Sequence, residues 1–247
     1  MVHRYLAGMA DGTRITRRAT LGKLGGLLAG AVAVGGLKAA DSGSATDEEG
    51  SSTGPLGVAS GAVTCVLAPE QTEGPYYLDD HKVRRNITER RPGASLALRL
   101  TVVDATSCRP IKAAAVDIWH CDAGGVYSGT NAQGTEDERF LRGIQRTDAK
   151  GVAIFRTIYP GWYSGRTVHI HVTVHIGGNV VHTGQLYFPD AFTDAVYRRS
   201  PYNRRPNRSP RNSGDSIYRN GGKRSTLKLV KNGAGYTASI SMGVMRS

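Results

Sequence analysis

Residues 168–175 read Val-His-Ile-His-Val-Thr-Val-His, β-branched aliphatics alternating with polar side chains at period two. That is the pattern of a half-buried strand. Strand residues i and i+2 share a face, so His169 and His171 stand side by side while Ile170 points the other way. The spacing suits two adjacent ligands on one metal ion. On its own, the pair reads equally well as an exposed strand face with scattered histidines. His175 shares the face but lies about 13 Å beyond His171, at about 3.3 Å per residue, too far for the same ion. Outward from this segment the alternation recurs. Residues 95–103 (SLALRLTVV) place Leu96, Leu98, Leu100 and Val102 on one face, and residues 115–120 (AVDIWH) and 152–157 (VAIFRT) follow turn residues. Residues 225–230 and 236–244 flank Asn232-Gly233, a strong hairpin signal. Helical periodicity is confined to about one turn at residues 190–197. The expectation is a mainly β chain, a β-sandwich of mixed sheets with long loops.

The chain has 247 residues, 39% hydrophobic and 21% charged, which allows a substantial core and excludes wholesale disorder. Its formal net charge of +12 is local. Six basic residues against one acid lie in residues 1–40, and residues 198–224 carry nine Lys or Arg against the single acid Asp215. Residues 198–224 are expected to form a long surface loop. Tyr202 and Tyr218 within it could stack on bases, but a solvated loop is the better reading and no nucleic-acid partner is expected.

Residues 1–40 read as a twin-arginine signal peptide. Arg17-Arg18 precede a 14-residue run of small and apolar residues, 24–37, containing five glycines. At about 1.5 Å per residue such a run is too short to span a bilayer of about 30 Å, so no membrane span is expected. Cleavage is expected between Ala39 and Ala45. Residues 41–60, rich in Ser, Asp, Glu and Gly, read as a flexible linker, and 61–247 as one folded domain. The implied location is extracellular or in the cell envelope. Of Cys65, Cys108 and Cys121 two could pair in that oxidising setting, and the sequence leaves the pairing open. Lacking any CxxC spacing, they do not suggest a cysteine zinc site.

Two histidines need further ligands, yet no Asp or Glu occurs between Gly151 and Phe188. Tyrosines instead sit in glycine turns that follow strands: Gly124-Gly-Val-Tyr127 and Pro160-Gly-Trp-Tyr163, with Gly74-Pro-Tyr-Tyr77 far upstream. Phenolate is a hard anion suited to ferric iron, whose acidity overcomes the ordinary phenol pKa of about 10.

The motifs Glu73-Gly-Pro-Tyr-Tyr77, Val116-Asp-Ile-Trp-His-Cys-Asp-Ala123 with Gly125-Val-Tyr127, Pro160-Gly-Trp-Tyr163, Arg166-Thr-Val-His-Ile-His171 and Gln185-Leu-Tyr-Phe188 resemble, in order and spacing, the intradiol ring-cleavage dioxygenases. The resemblance runs from about Thr64 to Tyr187. It implies one Fe(3+) per chain on Tyr127, Tyr163, His169 and His171, the long loops carrying the site. Tyr163 would be the phenolate that leaves the metal when substrate chelates, Arg166 would stabilise charge on the ring, and Gln185 would lie near ring and dioxygen. Tyr76 and Tyr77 match a motif that lines the family's substrate pocket. Trp119 and His120 read as core residues or residues behind the ligands, and His182 as a surface residue. An ideal strand would turn Arg166 away from His169, so its role requires a bend or bulge before Val168.

The implied reaction cleaves a catechol-type ring between its two hydroxyl-bearing carbons, using O2 and no organic cofactor, to a cis,cis-muconate-type diacid. Export suggests extracellular aromatics as substrates. The long helical N-terminal segment used for dimerisation by cytoplasmic catechol enzymes is not visible, and the oligomeric state, a homodimer included, stays open. Competing readings are a zinc hydrolase, which lacks a carboxylate base near the histidines, and a secreted non-catalytic β-sandwich binding module.

Overall fold

A computed structural model describes residues 65–80 and 82–246. The expected signal (1–40), the linker (41–60) and the first residues of the expected domain lie outside the described residues.

Among the described residues, eight strands form two four-stranded sheets. They are β1 (Ser95–Asp104), β2 (Ala115–Trp119), β3 (Arg142–Arg146), β4 (Val152–Ile158), β5 (His169–Ile176), β6 (Asn179–Tyr187), β7 (Lys228–Asn232) and β8 (Gly235–Val244). The first sheet runs β4-β1-β8-β7 and is mixed, β1 pairing parallel with β8. The second, β3-β2-β5-β6, is antiparallel. The alternation in β1 buries Leu96, Leu98, Leu100 and Val102 against Val116 and Ile118 of β2 and Ile170, Val172 and Val174 of β5. Each such side chain contributes about 1.5–3 kcal/mol on full burial. The chain is thus a mainly β protein with a mixed-sheet sandwich core, as its alternation predicts.

The other face of the second sheet is also covered, and there the polar residues gather. In register, Arg142, Trp119, His171 and Gln185 form one row across all four strands, and His169 pairs with Tyr187 in the next. Gln71 and Glu70 cap the β6 side, the Gln71 N–H donating to the Thr183 carbonyl at 2.9 Å. On the β3 side the Arg84 N–H donates to the Ile144 carbonyl at 3.0 Å.

Four features differ from expectation. Residues 190–197 form an eight-residue helix, α1 (Asp190–Tyr197), rather than one turn. The β7 hairpin strand begins at Lys228, because Gly222–Ser225 are wound into a 3-10 turn. Residues 198–224 are not a solvated loop: Tyr202, Asn212 and Asp215 are buried, and residues 216–219 form a short helix, α2 (Ser216–Arg219). Part of the physical reason is that acids outside the segment pair with two of its guanidiniums. Arg208 pairs with Asp190 and Asp194 of α1 at 2.8 and 2.9 Å, and Arg211 with Asp194 at 2.7 Å. Tyr202 donates its hydroxyl to the Tyr159 carbonyl at 2.7 Å and has no free ring to stack on bases. Finally, His182 is no surface residue. It sits opposite Val174 on the core side of β6, 3% exposed, with Nδ1 2.7 Å from Glu70 Oε1.

Cys65 and Cys108 form a disulfide, leaving Cys121 free and buried. Among the described residues no helix is long and apolar enough to cross a membrane.

Candidate active site

His169 and His171 project from β5 onto the polar face of the second sheet, as period two requires, and both are buried. Their Nε2 atoms are 3.1 Å apart. His169 Nδ1 lies 2.6 Å from the Thr167 carbonyl, which can only accept, so the proton is on Nδ1 and the Nε2 lone pair faces the site. Trp119 stacks on the His171 imidazole, centroids 4.9 Å apart and 6° from parallel, fixing its plane.

The tyrosines arrive on two turns that pack back to back. A Cβ on Gly125 would stand 2.3 Å from the Trp162 carbonyl oxygen, and one on Gly161 2.5 Å from that of Asp122. Gly125 also has φ +84°, where a side chain is strained. These glycines let the turn carrying Tyr127 lie against the turn carrying Tyr163, bringing their rings to 5.7 Å. Tyr163 Oη then lies 3.2 Å from His169 Nε2. Tyr76 stacks on Tyr127 at 4.2 Å and meets Tyr163 edge-on at 6.2 Å, while Tyr77 packs on Trp119 at 5.0 Å.

The electrostatics hold all four groups neutral. Burial pulls His169 down to about 3, the Arg166 cation helping, and pulls His171 well below the ordinary imidazole range. Burial likewise pushes Tyr163 up to about 12 and Tyr127 well above the usual phenol value. Neutral imidazole is the ligating form, whereas these phenols could ionise only beside a strong Lewis acid.

The donor set fits a metal ion. Two ligands each about 2.1 Å from one ion, at about 90–110°, stand roughly 3.0–3.4 Å apart. The Nε2–Nε2 and Oη–Nε2 separations of 3.1 and 3.2 Å match. Tyr127 Oη and His171 Nδ1 are buried with no hydrogen-bond partner in the protein, a cost that coordination would relieve at Oη. Among the described residues no cluster of three or more His, Cys, Asp or Glu could hold a metal, and the phenols of Tyr127 and Tyr163 are the further donors beside His169 and His171.

Arg166 reaches this face because β5 begins only at His169. Residues 164–165 form a turn whose Arg166 N–H donates to the Tyr163 carbonyl at 3.3 Å. Its Nε donates to Asp215 Oδ2 at 2.9 Å and its Nη2 to Gln185 Oε1. Gln185, paired with His171 in register, donates to the Thr72 carbonyl at 2.9 Å and accepts from the Tyr187 hydroxyl at 3.1 Å. Sequence reasoning missed Asp215, Thr167 and Tyr187. Tyr187 had a signal, since it lies at i+2 from Gln185 on the same strand face; Asp215 had none beyond being the single acid in a basic segment. Trp119 stands beside His171 in the same row, stacked on its ring, and His120 turns toward the other sheet. His120 is fully buried, its ring nitrogens 2.8 Å from the Cys121 carbonyl and 2.7 Å from Thr157 Oγ1.

Fold and site together define an enzyme with two histidines and two tyrosines converging on the covered face of a β-sandwich. Residues 72–196 match the family described as "Dioxygenase". The structure is similar to an intradiol ring-cleavage dioxygenase from Tetranychus urticae, with TM-score 0.69 and 36% identity over 73% of this chain and 95% of that one. It is also similar to the dioxygenase domain of a dioxygenase carbohydrate-binding fusion from Streptomyces sp. SirexAA-E, with TM-score 0.56 and 28% identity over 73% and 99% of the two chains. Catechol 1,2-dioxygenase 1 of Acinetobacter lwoffii is 30% identical over 100 residues, 38% of this chain and about a third (32%) of that protein. The chain belongs to the intradiol ring-cleavage dioxygenase family and is an oxidoreductase.

Proposed function

We propose that the protein is an iron(III)-dependent intradiol dioxygenase. It opens a catechol-type ring between the two hydroxyl-bearing carbons, placing both atoms of O2 in a cis,cis-muconate-type diacid. The observation that carries this reading is that Tyr163 Oη and the two imidazole Nε2 atoms stand at separations suited to one ion, with the Tyr127 ring 5.7 Å from that of Tyr163 and its buried hydroxyl without a partner. Tyr127, Tyr163, His169 and His171 would hold one Fe(3+) per chain. Bound there, the ion supplies Lewis acidity that ionises the phenols and the diol and renders the ring reactive toward O2.

The chain's own residues divide the remaining work. Tyr163, half-buried beside Arg166, would as phenolate accept a proton from the incoming diol, whereas Tyr127, 1% exposed and stacked on Tyr76, would stay in place. The Arg166 guanidinium stabilises negative charge on the ring, and Gln185, hydrogen-bonded to it, borders the ring and dioxygen. Tyr76 and Tyr77 form the wall against which an aromatic substrate packs. Export by the twin-arginine route to the extracellular side or cell envelope is supported by Arg17-Arg18 before the apolar run and by the Cys65–Cys108 disulfide, a bond that persists in oxidising compartments.

The test is product analysis. Iron-loaded protein given catechol under isotopically labelled O2 should yield a cis,cis-muconic acid carrying both labelled atoms. An unaltered catechol, or a quinone without label, would overturn the reading.

A further inference from the structure

Asp215 is the single acid among residues 198–224, where nine basic residues accompany it, and it is 1% exposed. A buried carboxylate costs several kcal/mol unless its oxygens are satisfied. Asp215 divides its two oxygens between two tasks. Oδ1 accepts from the Ile217 and Tyr218 N–H groups at 2.8 and 3.0 Å, an N-cap for α2. Oδ2 leaves its own segment, accepting from Arg166 Nε at 2.9 Å and from the Thr167 N–H at 2.8 Å. Both partners lie in the short stretch before β5. With Nε anchored there, Arg166 Nη2 donates to Gln185 Oε1. Once the Thr167 peptide is anchored, its carbonyl accepts from His169 Nδ1 at 2.6 Å. Asn212 strengthens the same grip, accepting from Thr167 Oγ1 at 2.7 Å and donating to the Phe188 carbonyl at 2.9 Å.

We propose that Asp215 is a positioning residue for the ring-opening reaction: its Oδ2 aims the Arg166 guanidinium at the substrate and, through the Thr167 peptide, fixes the orientation and tautomer of His169. The inference rests on the roles given above to Arg166 and His169. It assigns a task to a basic segment that sequence alone leaves as a loop. An arginine without this anchor regains rotamers that a charge-assisted bond had removed, and an imidazole whose acceptor shifts ligates less well.

Asp215→Asn separates the two tasks. Asparagine is as good an N-cap as aspartate, so its Oδ1 keeps α2, while its Nδ2 sets a donor against the Arg166 and Thr167 donors. The experiment is a double-mutant cycle of Asp215→Asn with Arg166→Gln, read by kcat/KM, by anaerobic calorimetric titration with catechol, and by iron affinity in chelator competition. Asp215→Asn is expected to lower kcat/KM and iron affinity each about tenfold and to weaken anaerobic catechol binding severalfold. In the Arg166→Gln background the part of its effect on kcat/KM that runs through Arg166 should vanish, so the factor on iron-saturated protein falls severalfold, while the loss of iron affinity, which runs through Thr167 and His169, persists. Equal factors in both backgrounds, or a normal kcat/KM in Asp215→Asn alone, would overturn the inference while leaving the proposed function standing. If Arg166→Gln itself is without effect, the role of Arg166 falls and this inference with it. Asp215→Ser, also a competent cap, repeats the cycle should the asparagine variant fail to fold.

Discussion

At the scale of single residues, burial without a counter-charge is the recurring device. His120 has no exposed surface, and burial pulls its pKa down to about 4 while it keeps a satisfied neutral ring. An unfolded histidine takes up a proton near 6.5, so between 6.5 and about 4 the unfolded chain binds more protons than the folded one. Stability from this group is therefore complete above pH 6.5 and falls with decreasing pH, by about 3 kcal/mol at pH 4. Asp117 works in the opposite sense. Burial, with Asp80 nearby, pushes it up to about 7, so the folded state loses stability as pH rises from the ordinary 3.8 toward 7. Because the two slopes oppose each other, the informative quantity is a difference. Urea unfolding of His120→Asn against the wild type, at pH 7 and again at pH 4.5, should show the gap between them shifting by about 2–3 kcal/mol in favour of the variant at low pH. A gap independent of pH would contradict a buried neutral His120. At this scale the sequence is partly legible. Period two alone sets His169 and His171 on one face, because strand geometry is local. Asp215 is invisible, because its meaning depends on Arg166, 49 positions away.

At the scale of elements, the two tyrosine turns form one unit, and Arg205 fastens it. Arg205 Nη1 donates to the carbonyls of Gly124 and Trp162, the latter at 2.8 Å, its guanidinium lies 4.7 Å from the Trp162 ring centre, and Trp162 Nε1 donates to its carbonyl at 3.3 Å. Bonds from a charged donor and a stacked guanidinium together suggest that Arg205→Ala costs about 2–3 kcal/mol. Arg205→Lys should not recover it fully, since an ammonium has no planar face to lay against the Trp162 ring while donating to the two carbonyls. Urea midpoints of the two variants check this, and a lysine variant equal to wild type would contradict it. Packing also explains which strands the sequence conceals. β1 and β5 show clean alternation because their core-facing positions are apolar. β3 (RGIQR) and β6 (NVVHTGQLY) do not, because the positions opposite core residues of β2 and β5 are Gly143 and Gln145 in β3 and His182 and Gly184 in β6. The segment 198–224 misleads because two of its arginines, Arg208 and Arg211, pair with Asp190 and Asp194 of a different element.

At the scale of the whole molecule, the Cys65–Cys108 bond ties the start of the described chain to the β1–β2 connection, closing a loop of 43 residues. Closing a loop of that length contributes about 4 kcal/mol in the chain-entropy account, and Cys65→Ser with Cys108→Ser should lose about 2–4 kcal/mol of unfolding free energy. An unchanged denaturant midpoint would contradict a structural role for the bond. Three cysteines offered three pairings, and only the tertiary fold selects one. The overall sandwich was readable because its core strands obey period two, and the resemblance of five short motifs located the site that the fold then assembles. The proposed chemistry requires these four side chains to bind iron(III) through two phenolates. The visible absorption spectrum of the iron-analysed protein, recorded before and after anaerobic addition of catechol, tests this. A coloured protein with one iron per chain is expected, with a band that shifts when catechol binds, and altered colour in Tyr127→Phe and Tyr163→Phe but little change in Tyr77→Phe. A colourless protein that carries zinc, or one that stays metal-free after iron is supplied during folding, would contradict it.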